Sequence, residues 1–152
     1  MKKIFYIISF GIITAMIVMA SCGGDNGDGQ LTPQQEQAQL LNGTWSHQNT
    51  TQSPQGVDPT ILDQLSITFN IDANSNPTSF NSTGAPDFFV TVGSSKWAFS
   101  GSSTTSILLT DVAPVDQLTI NSLTQSSLTL TFNFSSLRVA GLDGNYTVEM
   151  SK

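Results

Sequence analysis

Leu128-Thr129-Leu130-Thr131-Phe132-Asn133-Phe134 is the stretch that decides the fold. Apolar and polar residues alternate along it, so every second side chain points to the same side of an extended backbone. One face is apolar and the other wet, the pattern of a half-buried antiparallel strand. The same period runs through Leu65, Ile67, Phe69 and Ile71, and again through Tyr146, Val148 and Met150. Weaker strands are read over 44–49, 78–82, 88–92, 96–100, 106–110 and 117–123. Turn residues punctuate them at Asn74-Ser75-Asn76-Pro77, Gly84-Ala85-Pro86, Gly101-Ser102, Asp111 to Pro114 and Asp143-Gly144. Short strands with no convincing helix between them give an all-β barrel or sandwich.

One helix signal precedes the strands. Thr32 is placed to cap it, Pro33 fits the first turn, and Gln35 completes a capping box. The helix would bury Leu40 and Leu41 and stop at Asn42-Gly43. It is too short to stand alone, so it should dock on the domain. The longest loop runs from Thr50 to Asp63, with a turn of helix read at Ile61-Leu62.

Toward the N-terminus the chain changes character. Lys2 and Lys3 precede an apolar run from Ile4 to Val18, broken only by Ser9, Gly11 and Thr14. As a helix the run reaches roughly 22 Å, against a hydrocarbon core of about 30 Å. It is the layout of a secretory signal peptide. The following Met19-Ala20-Ser21-Cys22 resembles the lipobox of bacterial lipoproteins, with Met19 where the family usually has Leu. The resemblance implies a lipoprotein signal peptide over 1–21, cleavage before Cys22, and diacylglyceryl and palmitate-type chains on that cysteine. Cys22 is the only cysteine, so the mature chain would hold no disulfide. Residues 22–31, rich in Gly and Asp, read as a flexible tether, leaving 32–152 as the β-domain. The resemblance also implies a cell-envelope location. Gly23, where inner-membrane retention signals carry Asp, points to the outer membrane, periplasmic or surface-facing.

From Cys22 onward three positive residues face eleven acidic ones, a net charge of −8. An acidic chain without a basic patch argues against nucleic acid as a partner. The expected partners are the membrane, through acylated Cys22, and a small hydrophobic ligand; no protein partner is named by the sequence.

Gly43-Thr44-Trp45 follows the short helix and opens the first strand, where lipocalins carry a Gly-x-Trp motif. With the strand rhythm from Leu118 to Phe132 and the closing Tyr146 to Met150, the chain resembles the lipocalin-like domains of small bacterial lipoproteins. The resemblance implies an antiparallel up-and-down meander closing into a barrel of about eight strands that holds an apolar ligand. It also implies a basic side chain packed over the motif tryptophan, for which Arg138, the single arginine, is the candidate. A β-sandwich is the rival architecture.

Trp45, Phe69, Trp97, Phe99, Leu130 and Phe132 are the candidate ligand-binding residues, because they fall on the apolar parity of their strands. A shallow apolar site near Trp97 is the specific expectation. An eight-stranded barrel is also narrow enough for its own side chains to fill. The second functional reading is therefore a structural or interaction subunit with a filled core.

Chemistry is sparse. His47, the one histidine, sits beside Ser46, but strand neighbours point to opposite faces, and a surface or rim histidine is expected. Glu36 and Glu149 lie at opposite ends of the domain, so no glycosidase pair stands out. Asp72-Ala73-Asn74-Ser75-Asn76 begins like a calcium loop and fails at Pro77 and Thr83; a polar turn is the better reading. No catalytic residue, cofactor or metal is expected, and the chain is not read as an enzyme. A third reading, an enzyme built on scattered residues such as His47 and Asp63, would need a His–carboxylate contact in a cleft.

Overall fold

The computed structural model describes residues 30–136 and 141–152. The expectations for the leader, Cys22 and most of the tether, and that for Arg138, lie outside them. A compact unit spans Leu31–Lys152.

The alternating stretches become the walls of a closed eight-stranded antiparallel barrel in simple meander order. The helix α1 (Pro33–Leu41) leads into β1 (Gly43–Gln52). Then follow β2 (Ser66–Ile71), β3 (Pro77–Thr83), β4 (Phe89–Phe99), β5 (Ser106–Pro114), β6 (Gln117–Leu123), β7 (Ser127–Phe134) and β8 (Gly144–Ser151). Closure comes from β1 pairing with β8, as in Ser46↔Ser151 and His47↔Met150. Closure gives every strand a neighbour on both sides, so no strand is left as a full-length edge. The sandwich alternative is thereby set aside.

The burial follows the alternation. Along β7, Leu128, Leu130, Phe132 and Phe134 are buried, and the residues between them face out. Most apolar side chains point in and most polar ones out, with Val90, Val92 and Leu108 the exposed large apolar residues among those described; this is the reverse of the lipid-facing pattern of a membrane-spanning barrel.

In a meander, successive loops alternate between the two ends of the barrel. At one end α1 lies across the opening. Its N-cap is the expected Thr32, with the capping box to Gln35 formed in both directions. Three glutamines fasten the helix to the loops beneath it. Gln34 donates to the carbonyls of Gly101 and Ser103 at 2.8 Å. Gln35 donates to the Asn74 carbonyl and Gln39 to the Ser75 hydroxyl, both at 2.9 Å. Ala38 and Leu41, on its inner face, are fully buried, while Leu40, expected beside Leu41, is only partly covered.

The opposite end carries the β1–β2 loop with its 3-10 turn at Pro59–Leu62, near the expected Ile61-Leu62. Leu62 is fully buried there. From the β3–β4 loop Phe88 enters the barrel, its ring 4.6 Å from Phe134 and 5.0 Å from Tyr146.

One strand differs from expectation. The segments 88–92 and 96–100, read as two strands, form the single β4. Between Thr91↔Val112 and Lys96↔Thr110 the β4 side holds three more residues than the β5 side. Gly93 takes φ +68° inside this bulge. The Ser95 hydroxyl, buried, donates to the Asp111 carbonyl at 2.9 Å. The alternation breaks at the bulge while the hydrogen-bonded ladder resumes beyond it.

Candidate functional site

Gly43 and Trp45 open β1 directly after the helix, and the turn between them decides how the helix end is sealed. Trp45 points inward and is fully buried. Its indole Nε1 donates to the Leu41 carbonyl at 2.7 Å. The Lys152 ammonium lies 4.4 Å from the centre of the Trp45 ring and donates to the Leu40 carbonyl at 2.7 Å. The last carbonyls of a helix have no partner within it and carry partial negative charge. Here an indole and a cation satisfy two of them. Gly43 takes φ +120°, and a Cβ there would lie 3.4 Å from Lys152 Cε. Glycine thus leaves room for the lysine stem. The basic side chain over the tryptophan comes from the end of β8. Spacing alone could not favour Lys152, because it pairs with Trp45 only through barrel closure.

The six candidate ligand-binding residues converge inside the barrel. Trp45, Phe69, Trp97, Leu130 and Phe132 are 0–2% exposed, and Phe99 is partly buried. Trp97 sits between Phe99 at 5.5 Å and Phe69 at 5.2 Å, ring centre to ring centre. Its Nε1 donates to the Asn70 carbonyl at 2.8 Å. Contacts continue from Phe69 to Phe80, Phe89, Phe132 and Tyr146. Most pairs meet edge to face or tilted, the arrangement that ring quadrupoles favour. Rings therefore touch one another from the helix end to the far end. The Tyr146 hydroxyl leaves this apolar column by donating to the Leu142 carbonyl at 2.6 Å, and burial with Asp143 nearby raises its pKa. Among the described residues no buried side-chain polar atom lacks a hydrogen-bond partner.

His47, expected at the surface or rim, is instead well covered, with its side chain 5% exposed. Its Nε2 pairs with the Thr50 hydroxyl at 2.8 Å, and its Nδ1 stands 3.8 Å from an Asp63 carboxylate oxygen. Residues three apart on a regular strand face opposite ways. A bulge between His47 and Asn49 resets the parity and brings Thr50 beside the imidazole. Burial lowers the His47 pKa, and Asp63 partly opposes this. Together they line a small open cleft of about 160 Å³. The arrangement has the order of an acid–base–hydroxyl relay. The Nδ1–carboxylate gap exceeds hydrogen-bond reach, and Asp63 is 53% exposed, so it cannot hold the ring as a buried carboxylate would. Ser46, its sequence neighbour, points out to solvent.

The Asp72 segment forms a polar turn. The Asp72 carboxylate accepts from the backbone N–H groups of Asn74 and Asn76, both at 2.8 Å, and from the Asn76 amide at 3.1 Å. The Asn76 bonds are the main cause of its lowered pKa. Its oxygens thus serve the turn itself, an Asx-type closure. Among the described residues no cluster of three or more His, Cys, Asp or Glu is grouped to hold a metal.

Compared with protein-family models, curated proteins and solved structures, the chain matches none.

Proposed function

We propose that this chain is a lipid-anchored lipoprotein of the cell envelope, placed at the outer membrane, whose barrel works through its outer wall. The leader and the Met19-Ala20-Ser21-Cys22 lipobox support the anchor. Two or more acyl chains hold a protein stably on a bilayer where one holds it marginally. The observation that carries the outer-wall reading is the unbroken column of rings between Phe99 and Tyr146. Positions that would contact a ligand in a hollow barrel are occupied here by contacts among the barrel's own side chains. The domain then serves as a rigid structural or interaction module.

A second reading, a barrel holding a small apolar ligand, draws support from the lipocalin-like Gly43–Trp45 closure with its basic cover. Two measurements separate these parts. Intact-mass analysis of the membrane fraction should give a chain beginning at acylated Cys22; an unmodified chain beginning at Met1 would refute the anchor. Titration of the folded domain with an apolar fluorescent probe should give no saturable site; saturable binding lost on substitution of Trp97 would favour the ligand reading.

A further inference from the structure

The ladder between β6 and β7 ends at Thr119↔Thr131, while β7 and β8 continue together for three more pairs, from Phe132↔Tyr146 to Phe134↔Gly144. On the other side, β5 beyond Thr110 pairs with β4 through Val112, Ala113 and Pro114. The mismatch in strand length opens a cleft of about 430 Å³ in the outer wall, bordered by Pro114, Asp116, Gln117, Thr119, Asn133 and Asn145. That size falls within the range of about 300–1,000 Å³ common for small-molecule sites.

We infer that this cleft binds a neutral polyhydroxyl ligand, a sugar residue of a glycan. The inference rests on the reading that the outer wall is the working surface. The polar side chains of the lining are amides, hydroxyls and one carboxylate, with no lysine or arginine. Asn133 Nδ2 donates to Asn145 Oδ1 at 2.9 Å. This fixes both amides and leaves Asn133 Oδ1 as an acceptor and the Asn145 amide as a donor. Among the described residues the side chains of Asp116, Thr119 and Ser135 form no hydrogen bond within the protein. Adjacent sugar hydroxyls both donate and accept, so they match such a mixed set. A carboxylate accepting from hydroxyls adds the stronger, charge-assisted bonds. Pro114 supplies apolar surface for the C–H face of a ring. Anionic ligands find no cation in the cleft and meet Asp116. A lone carboxylate provides too few oxygens for a hard cation.

The test is titration of the full chain with maltotriose, cellotriose and triacetylchitotriose, followed by amide chemical shifts. Sedimentation with insoluble peptidoglycan separates a polymer-borne glycan from a free oligosaccharide. At least one neutral sugar should perturb the β6–β7 cleft. The double variant N133A/N145A and D116A should each weaken it tenfold or more without lowering the melting temperature. Q48A, on the exposed face of β1, should leave binding unchanged. No binding to any of these sugars or to the polymer would overturn the inference, as would binding unaffected by the cleft variants. Perturbation of the cleft by an extended tripeptide and by no sugar would also overturn it, assigning the notch to strand addition along β7. An apolar probe run in parallel tests the filled interior separately. Sugar failure with probe exclusion sinks only this inference, and probe binding sinks the outer-wall reading.

Discussion

The Lys152 ammonium stands 4.4 Å from the centre of the Trp45 ring while donating to the Leu40 carbonyl, so one side chain joins the end of β8, the start of β1 and the last turn of α1. An exposed cation–π contact contributes about 0.5–1 kcal/mol, and a cation at a helix C-terminus a similar amount. Partial burial lowers the Lys152 pKa, an opposing cost. Lys152→Met, which keeps much of the stem, should therefore lower the unfolding free energy by about 1 kcal/mol in urea denaturation. Lys152→Arg, which keeps the charge, should lose less. An unchanged midpoint in Lys152→Met would show the contact to be energetically idle.

Gly43 and Gly84 should both resist substitution, for different reasons. Gly43→Ala forces an L-residue to φ +120° and presses on Lys152; a loss of about 1–3 kcal/mol is expected. At Gly84, with φ +80°, a Cβ would sit 1.7 Å from the Gln64 carbonyl oxygen. The clash is with backbone, so the β1–β2 and β3–β4 loops would have to separate. Gly84→Ala should destabilise more than Gly43→Ala, checked by the same denaturation series.

Stability should fall in mild acid through His47. Its folded pKa lies below the ordinary 6.5 because burial penalises the imidazolium. The unfolded chain thus binds the proton more readily. The stabilising difference is fully present above about pH 6.5 and is lost as pH falls through the folded value. His47→Gln should flatten this part of the stability–pH curve. Asp63→Asn removes the charge that holds the folded pKa up, so it should steepen the decline. Thermal melts between pH 5 and pH 8 read both slopes.

Legibility in the sequence followed regularity. The period-two runs that became β2, β7 and β8 stood out because nothing interrupts them, and Thr32, Pro33 and Gln35 marked the helix start. What escaped was set by bulges and closure. Gly93 to Ser95 read as a gap between strands because a bulge breaks alternation without breaking the strand. Thr50 beside His47 depends on another bulge. Lys152 over Trp45 depends on β8 meeting β1, a juxtaposition that chain order hides. The outer cleft arises from unequal strand lengths, which alternation does not report. The six aromatic and aliphatic positions were legible as inward-facing; whether an inward face surrounds a ligand or meets its own neighbours depends on how the rings pack.

The most direct test of the filled barrel is Trp97→Ala, measured together with apolar-probe titration of the unaltered protein. Trp97 is 2% exposed and wedged between Phe69 and Phe99, and deleting so large a buried ring typically costs about 3–5 kcal/mol. A filled barrel predicts that loss of unfolding free energy, with no saturable probe binding in the unaltered protein. Saturable probe binding that Trp97→Ala abolishes while stability stays unchanged would contradict it.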